Sequence, residues 1–259
     1  MTTTQTIKQN SGSSKASSLA RQVLIQTQFE LLLTLRRGEN ILVTLIVPVL
    51  LLIFFASLNI VPAVNGLAVN FLLPGILALA IMAAGMVNLG IATAYERYYG
   101  VLKRLGSSPL PRSGLILAKV LSILILEIVQ VLLLVGVAVL FGWRPVGSPF
   151  LALLAIVIGT VTFAALGLAM AGALRAELTL AGANALFLVF ILLGGGILPL
   201  SHLPPLLAAI AEFLPATALT QALQATMNDG TAFPGFALLV LVVWAVVVLG
   251  IAIRTFQWE

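Results

Sequence analysis

Cysteine is absent from this 259-residue chain and histidine occurs once. The first absence excludes disulfides and thiolate-held metals. The second excludes an HExxH zinc site and leaves His202 as a solitary loop residue. Charge is scarce too, at 8% of residues against 61% hydrophobic, where a soluble domain carries roughly a quarter charged residues. With a mean hydropathy of +1.18, the chain has too little polar surface to face water and reads as an integral membrane protein. None of its four lysines follows a glycine, so the phosphate-cradling GxxxxGK[ST] loop is missing, as is the GxSxG nucleophile elbow. The sequence therefore supplies no phosphate loop for ATP hydrolysis, no serine-hydrolase site and no metal or cofactor site of its own. The Thr/Ser/Gln-rich start has no apolar core and does not read as a cleaved signal peptide.

What is present is long apolar runs. A hydrocarbon core of about 30 Å takes about 20 helical residues. Runs of that length lie near residues 41–60, 70–93, 114–141, 150–174, 179–200 and 234–253. The predicted fold is therefore an all-α membrane protein with six transmembrane helices. Residues 1–18 read as a disordered tail and 19–37 as an interfacial helix, with Ala20, Leu24, Leu31 and Leu35 on one stripe. Packing of that helix against the bundle is the alternative. Between the fifth and sixth runs, Pro204, Pro205 and Pro215 cut residues 201–233 into two apolar pieces, near 205–213 and 216–227. Each is too short to cross, and both read as outer re-entrant half-helices. Placing the N-terminus in the cytoplasm puts twelve of the thirteen Lys and Arg residues inside and only Arg144 outside. Both termini are thus expected in the cytoplasm.

The longest charged interruption is residues 94–112, between the second and third runs. Tyr98, Val101, Leu102 and Leu105 fall at i, i+3, i+4 and i+7, one helical face, while Gly100, Lys103 and Arg104 fall on the other. Gly106, Pro109 and Pro111 stop the turn. The spacing predicts a short amphipathic helix on the cytoplasmic side. It is either a plain linker between spans or a docking lever.

Polar residues within the runs are few. Glu127 lies halfway along the third, with Gln130 one turn on as a hydrogen-bond partner. An ionisable group at that depth belongs in the bundle interior. It reads as lining a substrate path or as an interhelical tie. Asn88 and Asn184 are further path candidates. Ala80, Ala84, Asn88 and Ala92, and the small residues of 164–173, mark close helix packing. The glycines at 194–196 either loosen the fifth helix or allow a close crossing.

Taken in order, the interfacial helix, the string Glu96-Arg97-x-x-Gly100-x-Leu102-Lys103-Arg104-Leu105-x-x-x-Pro109-Leu110, the half-helices and the ending Arg254, Phe256, Trp258, Glu259 resemble the ABC-2 family of ABC transporter permeases. The multidrug/daunorubicin-resistance type of bacterial exporter is similar to them. Gln257 stands where a basic residue is more usual. The resemblance covers essentially the whole chain, with residues 38–259 as the ABC-2 type transmembrane domain. It implies a multi-pass protein of the bacterial inner (cell) membrane, a homodimer of permeases with two copies of a separate ATPase that holds ATP and Mg, and lipid but no nucleic acid as surroundings. Residues 94–112 would be the coupling helix. Its ATPase-coupling residues would be Glu96, Arg97, Tyr98, Gly100, Val101, Leu102, Lys103, Arg104, Leu105 and Pro109. The sparse charge along the spans points to an amphipathic or apolar cargo, a drug-like molecule or a lipid, moved outward. Two other readings stand beside it: a proton-coupled secondary transporter using Glu127, and a non-transporting membrane scaffold.

Overall fold

The computed structural model describes residues 18–36, 38, 42–58, 66–107, 110–197, 199–228 and 233–256, with the side chain of Val43 excepted. Lys8, Lys15, Arg37, Pro62, Asn65, Pro109, Gln257, Trp258 and Glu259 lie outside the described residues. Among the described residues the fold is helical, with five helices long and apolar enough to cross a membrane. We number the helices in chain order. α1 is Leu19–Arg36 and α2 is Val47–Leu58, preceded by a π-helical turn at Leu42–Ile46. α3 is the long span Ala68–Tyr98 and α4 the short Val101–Leu105. α5 (Arg112–Leu140), α6 (Pro149–Ala173) and α7 (Ala176–Leu193) follow. α8 (Pro205–Ala211) and α9 (Pro215–Asn228) are bent by 81° to each other, and α10 is Gly235–Thr255.

The five long helices match the predicted second to sixth spans to within a turn or two. The first predicted span is represented by a shorter apolar helix, Thr44–Leu58. The two half-helices fall where the prolines placed them, and the bent pair would count as a sixth span only if taken as one. α7 ends at Leu193, seven residues before the predicted end. Gly195 there takes φ +71°, a left-handed turn that residues with a side chain avoid. Gly196 lies directly on Gly75 of α3, where an added Cβ at Gly75 would sit 2.1 Å from the Gly196 carbonyl oxygen. Both readings of that glycine run therefore hold, since the helix stops and the backbones cross closely.

α3 is the axis of the bundle. Every residue from Ala68 to Met82 is buried. α6 packs along its second half and carries α10 on another side, while α9 lies across α3, α6 and α10. The α3–α6 approach is backbone against backbone. Gly90 faces Gly167, and an added Cβ at Gly167 would lie 2.7 Å from the Met86 carbonyl oxygen and 2.8 Å from that of Gly85. The small residues predicted to mark close packing, Ala80, Ala84, Ala164, Ala165, Ala169 and Ala171, are buried. Lipid offers no hydrophobic drive for such a contact, so close van der Waals fit and backbone approach hold it.

Two sets of ties fasten the ends. At one end, Thr217 Oγ1 donates to the Leu193 carbonyl at 3.0 Å, and Asn228 Nδ2 donates to the Asn70 carbonyl at 2.6 Å. These hold α9, the second half-helix, onto α7 and α3. At the other end, Arg112 Nη1 donates to the Phe256 carbonyl at 3.3 Å, joining the start of α5 to the end of α10, and the Phe256 ring is buried there.

Because the α3–α6 crossing has no room for a side chain, Gly167→Val is expected to lower the thermal unfolding midpoint of the detergent-solubilised protein. Overpacking of this kind costs roughly 1–3 kcal/mol or more. Gly136→Ala, where an added Cβ meets nothing within 4 Å, should leave the midpoint unchanged or raise it slightly. Equal behaviour of the two variants would contradict the crossing.

Candidate functional site

The charged interruption folds as an elbow rather than as one continuous helix. Nothing between the π-helical turn at Ala83–Asn88 and Gly100 interrupts the i→i−4 ladder, so α3 runs on through Thr93 to Tyr98. Gly100 then adopts φ +70°, ψ 15°, which ends α3 and resets the helical phase before α4 begins. The predicted stripe of Tyr98, Val101, Leu102 and Leu105 presumed unbroken phase, and it divides. Leu102 is 1% exposed inside the protein's own core and Leu105 packs beside it. Tyr98, Tyr99 and Val101 face outward at 65%, 70% and 42% exposure. The rings of Tyr95, Tyr98 and Tyr99 pack against one another with centroids 5.1–6.4 Å apart. Lys103 and Arg104 are also exposed.

The inward side of the elbow is bolted to three other helices. Lys119 of α5 is fully buried. It lies seven residues into its helix, about 10 Å along the axis at ~1.5 Å per residue. Its ammonium Nζ donates to Glu96 Oε2 at 2.7 Å and to Glu30 Oε2 at 3.0 Å. Gln26 Nε2 donates to the second oxygen of Glu30 at 2.9 Å. Burying Lys119 and Glu30, with Glu96 half-buried beside them, is tolerable only because each has a close partner. Arg97 reaches the opposite way. Its Nη1 donates to the Gly172 carbonyl at 2.6 Å and its Nη2 to the Leu174 carbonyl. These are carbonyls at the C-terminal end of α6, which lack helical partners and carry the negative end of the helix dipole. Glu96 and Arg97 are thus neighbours in sequence that grip different helices.

The face by which α1 joins this cluster differs from the predicted stripe. Val23, Thr27 and Glu30 are its buried residues, and it lies along α5. Ala20, Leu24 and Leu35 are exposed. The half-polar stripe turns inward because Lys119 needs carboxylate and amide partners. The apolar residues are left to the outside, which in a membrane costs nothing.

A small cavity of about 40 Å³ lies behind the ion cluster, lined by Glu30, Thr44, Asn88, Glu96, Lys119 and Ser122 among others. Two π-helical turns meet at it, Leu42–Ile46 before α2 and Ala83–Asn88 within α3. Asn88 Nδ2 donates to Thr44 Oγ1 at 3.0 Å, and Gln130 Nε2 donates to the Thr44 carbonyl at 2.6 Å. A π-turn displaces the regular ladder and frees backbone carbonyls. Here the side-chain amide of Gln130 takes up the one at Thr44.

The three path candidates do not converge. Asn88 lines the small cavity. Glu127 is buried between α5 and α6, where the Thr160 hydroxyl lies in hydrogen-bond contact with Glu127 Oε2. Its Oε1 has no partner among the described residues. The predicted partner Gln130 is turned instead to Thr44, because Thr160 approaches from the neighbouring helix. Glu127 lines neither this cavity nor a larger one at the far end of the bundle. Asn184 is exposed on α7, and its amide donates to the Leu180 carbonyl of its own helix at 2.8 Å. Sequence reasoning did not single out Glu30, Thr44, Tyr99 or Thr160. It counted Lys119 only as a positive charge. The available signal was a lysine a full two turns inside an apolar helix, which requires a buried carboxylate somewhere.

Removing the ammonium would leave two carboxylates facing each other. Lys119→Met should therefore destabilise the solubilised protein by roughly 3–5 kcal/mol, the cost of breaking a buried charge pair. Glu30→Gln leaves Lys119 paired with Glu96 and should cost clearly less. The thermal midpoints of the two variants, and the non-additivity of Glu30→Gln with Glu96→Gln in a double-mutant cycle, are the measurements. Additive effects would dissolve the cluster as a unit.

Comparison with known proteins places residues 21–228 in the ABC-2 type transporter family. The chain is 29% identical over 206 residues to "Putative transport permease ycf38" of Porphyra purpurea, covering 75% of this chain and 69% of that protein. It is 28% identical over 200 residues to the protein of the same title from Pyropia yezoensis, covering 74% and 67%.

Proposed function

This chain belongs to the ABC-2 type transporter family and is its membrane permease component, and from that premise we propose that it is the transmembrane half of an ATP-driven exporter of the multidrug/daunorubicin-resistance type. ABC-2 permeases pair with ABC ATPase subunits, and in this reading two permease copies sit on two ATPase copies. Both termini and the elbow face the cytoplasm of a bacterial cell, residues 1–18 form a tail, and α1 lies at the headgroup layer. ATP and Mg belong to the ATPase. The cargo is an amphipathic or apolar molecule, a drug-like compound or a lipid, in keeping with the low charge of the spans.

One observation carries the coupling role. The elbow offers an exposed Tyr98–Tyr99–Val101 patch on one side, while its other side is ion-paired and hydrogen-bonded into α1, α5 and α6. Aromatic residues with a neighbouring Arg make effective interface anchors, and Lys103 and Arg104 beside them supply steering charge. A push on that patch reaches Glu96 and Arg97 within one turn. From there it passes to Lys119 on α5 and to the end of α6 without crossing a flexible joint. Tyr99 joins the coupling residues in this scheme. Leu102 and Leu105 act from inside, holding the elbow to the bundle rather than touching the ATPase.

The proton-coupled reading loses its support, because Glu127 is tied to Thr160 and reaches neither cavity. The scaffold reading is separated by a transport measurement.

Tyr98→Ala with Tyr99→Ala should weaken co-purification with the cognate ATPase by roughly thirtyfold or more, the loss of about 2 kcal/mol typical of a truncated anchor. ATP-driven export should fall in parallel, with the thermal midpoint of the permease unchanged. Leu102→Asp should instead lower the midpoint. Full ATPase binding and export by the double tyrosine variant would rule out this docking face.

A further inference from the structure

At the end of the bundle away from the elbow lies a cavity of about 410 Å³. Its walls are Val131 and Val135 of α5, Ala152 and Ile156 of α6, Trp143 of the connecting turn, and Met227 at the end of α9. The size is that of a small-molecule site, and Thr226 is the only other polar side chain among the lining residues besides the Trp143 indole. The Trp143 indole N–H is turned away to Asn228 Oδ1 at 3.5 Å. What remains is a slot for a hydrocarbon chain.

Its surroundings indicate where that chain comes from. The helices on either side present bare apolar residues outward beside it. Leu132 and Leu140 of α5 are 67% and 86% exposed, and Phe150 and Leu153 of α6 are 73% and 56% exposed. Apolar surfaces of this kind on membrane-spanning helices suit lipid, and on that reading the slot is reached from within the bilayer. Arg144 stands in the same turn, between the lining residues Trp143 and Pro145. It is exposed, and neither ion pair among the described residues involves it. Among the described residues it is also the one arginine or lysine that the topology places at this end of the bundle. An exposed arginine between two residues that line a hydrocarbon slot complements an amphiphile whose anionic oxygens lie next to its tail, because Arg binds phosphate by paired, charge-assisted hydrogen bonds.

We propose that the slot between α5, α6 and α9 seats an acyl chain of an anionic membrane phospholipid, with the lipid phosphate on Arg144. The site lies within one subunit and does not involve the elbow. It would fill the gap between α5 and the half-helices and brace the turn that Gly147 presses against the Thr226 carbonyl.

The test uses the full-length permease in phosphatidylcholine vesicles. These are doped with phosphatidylglycerol carrying a photoreactive diazirine on its acyl chain or, in a parallel arm, with phosphatidylcholine carrying the same chain. Adducts are mapped by mass spectrometry. Phosphatidylglycerol should label Val131, Val135, Ala152 and Met227 roughly five- to tenfold more than phosphatidylcholine does. Arg144→Gln should bring the two lipids to equal yield. Ala152→Phe, which fills the slot, should remove pocket adducts with both. Leu153→Trp, which covers the mouth from an exposed position, does the same should the first variant fail to fold. Equal yields from the two lipids in the unsubstituted protein would overturn the proposal. So would adducts as dense on the outward face of α10, at Leu239 and Val246, as in the slot. None of these readouts needs the ATPase, so this result and the coupling role stand or fall separately.

Discussion

The structure depends on one ammonium group held out of water. Lys119 sits two turns inside an apolar helix and is fully buried. A lone charge there would cost several kcal/mol at least. Glu96 and Glu30 make it tolerable, and both precede it in the chain, on two different helices. One closes the long span α3 and the other lies on the N-terminal helix. The requirement to neutralise one group therefore fixes three helices against one another. Arg97 extends the assembly to a fourth by taking the end carbonyls of α6. Each of these ties meets within a few residues of the elbow, so the elbow cannot move independently of them.

The spans were legible because a membrane makes length and apolarity decisive. An apolar run of about 20 residues has few alternatives to crossing, and prolines at 204, 205 and 215 mark breaks that no neighbouring helix can repair. Helix faces were much less legible. On α1 the familiar rule of apolar inward fails, since the apolar residues can face lipid and the polar ones must find partners. Read with that inversion, Gln26, Thr27, Glu30 and Thr34 announce the packing face. The predicted stripe of Leu24 and Leu35 shows what it leaves out.

The candidate site was legible as a location but only partly as a geometry. Its motif string named Glu96, Arg97, Leu102, Lys103 and Arg104, and the structure brings all of them to the elbow. Their division of labour depended on the backbone at Gly100. A glycine in a helical pattern can be passed through or can end the helix, and spacing does not distinguish the two. With φ at +70° the helix restarts at a new angle, so Leu102 turns inward while Tyr98 and its neighbour Tyr99, which the predicted stripe did not include, stay exposed. Glu127 illustrates a different limit. A sequence shows a buried carboxylate its neighbours on the same helix, whereas its partner Thr160 arrives from the next one.

The reset at Gly100 separates two sets of constraints that a continuous helix would have merged. Residues facing the bundle answer to packing and charge neutralisation, while Tyr98, Tyr99 and Val101 are exposed. Substitutions on the outward set can accumulate without disturbing the fold. Under the proposed docking, a permease of this design could be fitted to a different ATPase through its outward side chains, with its interior left as it is.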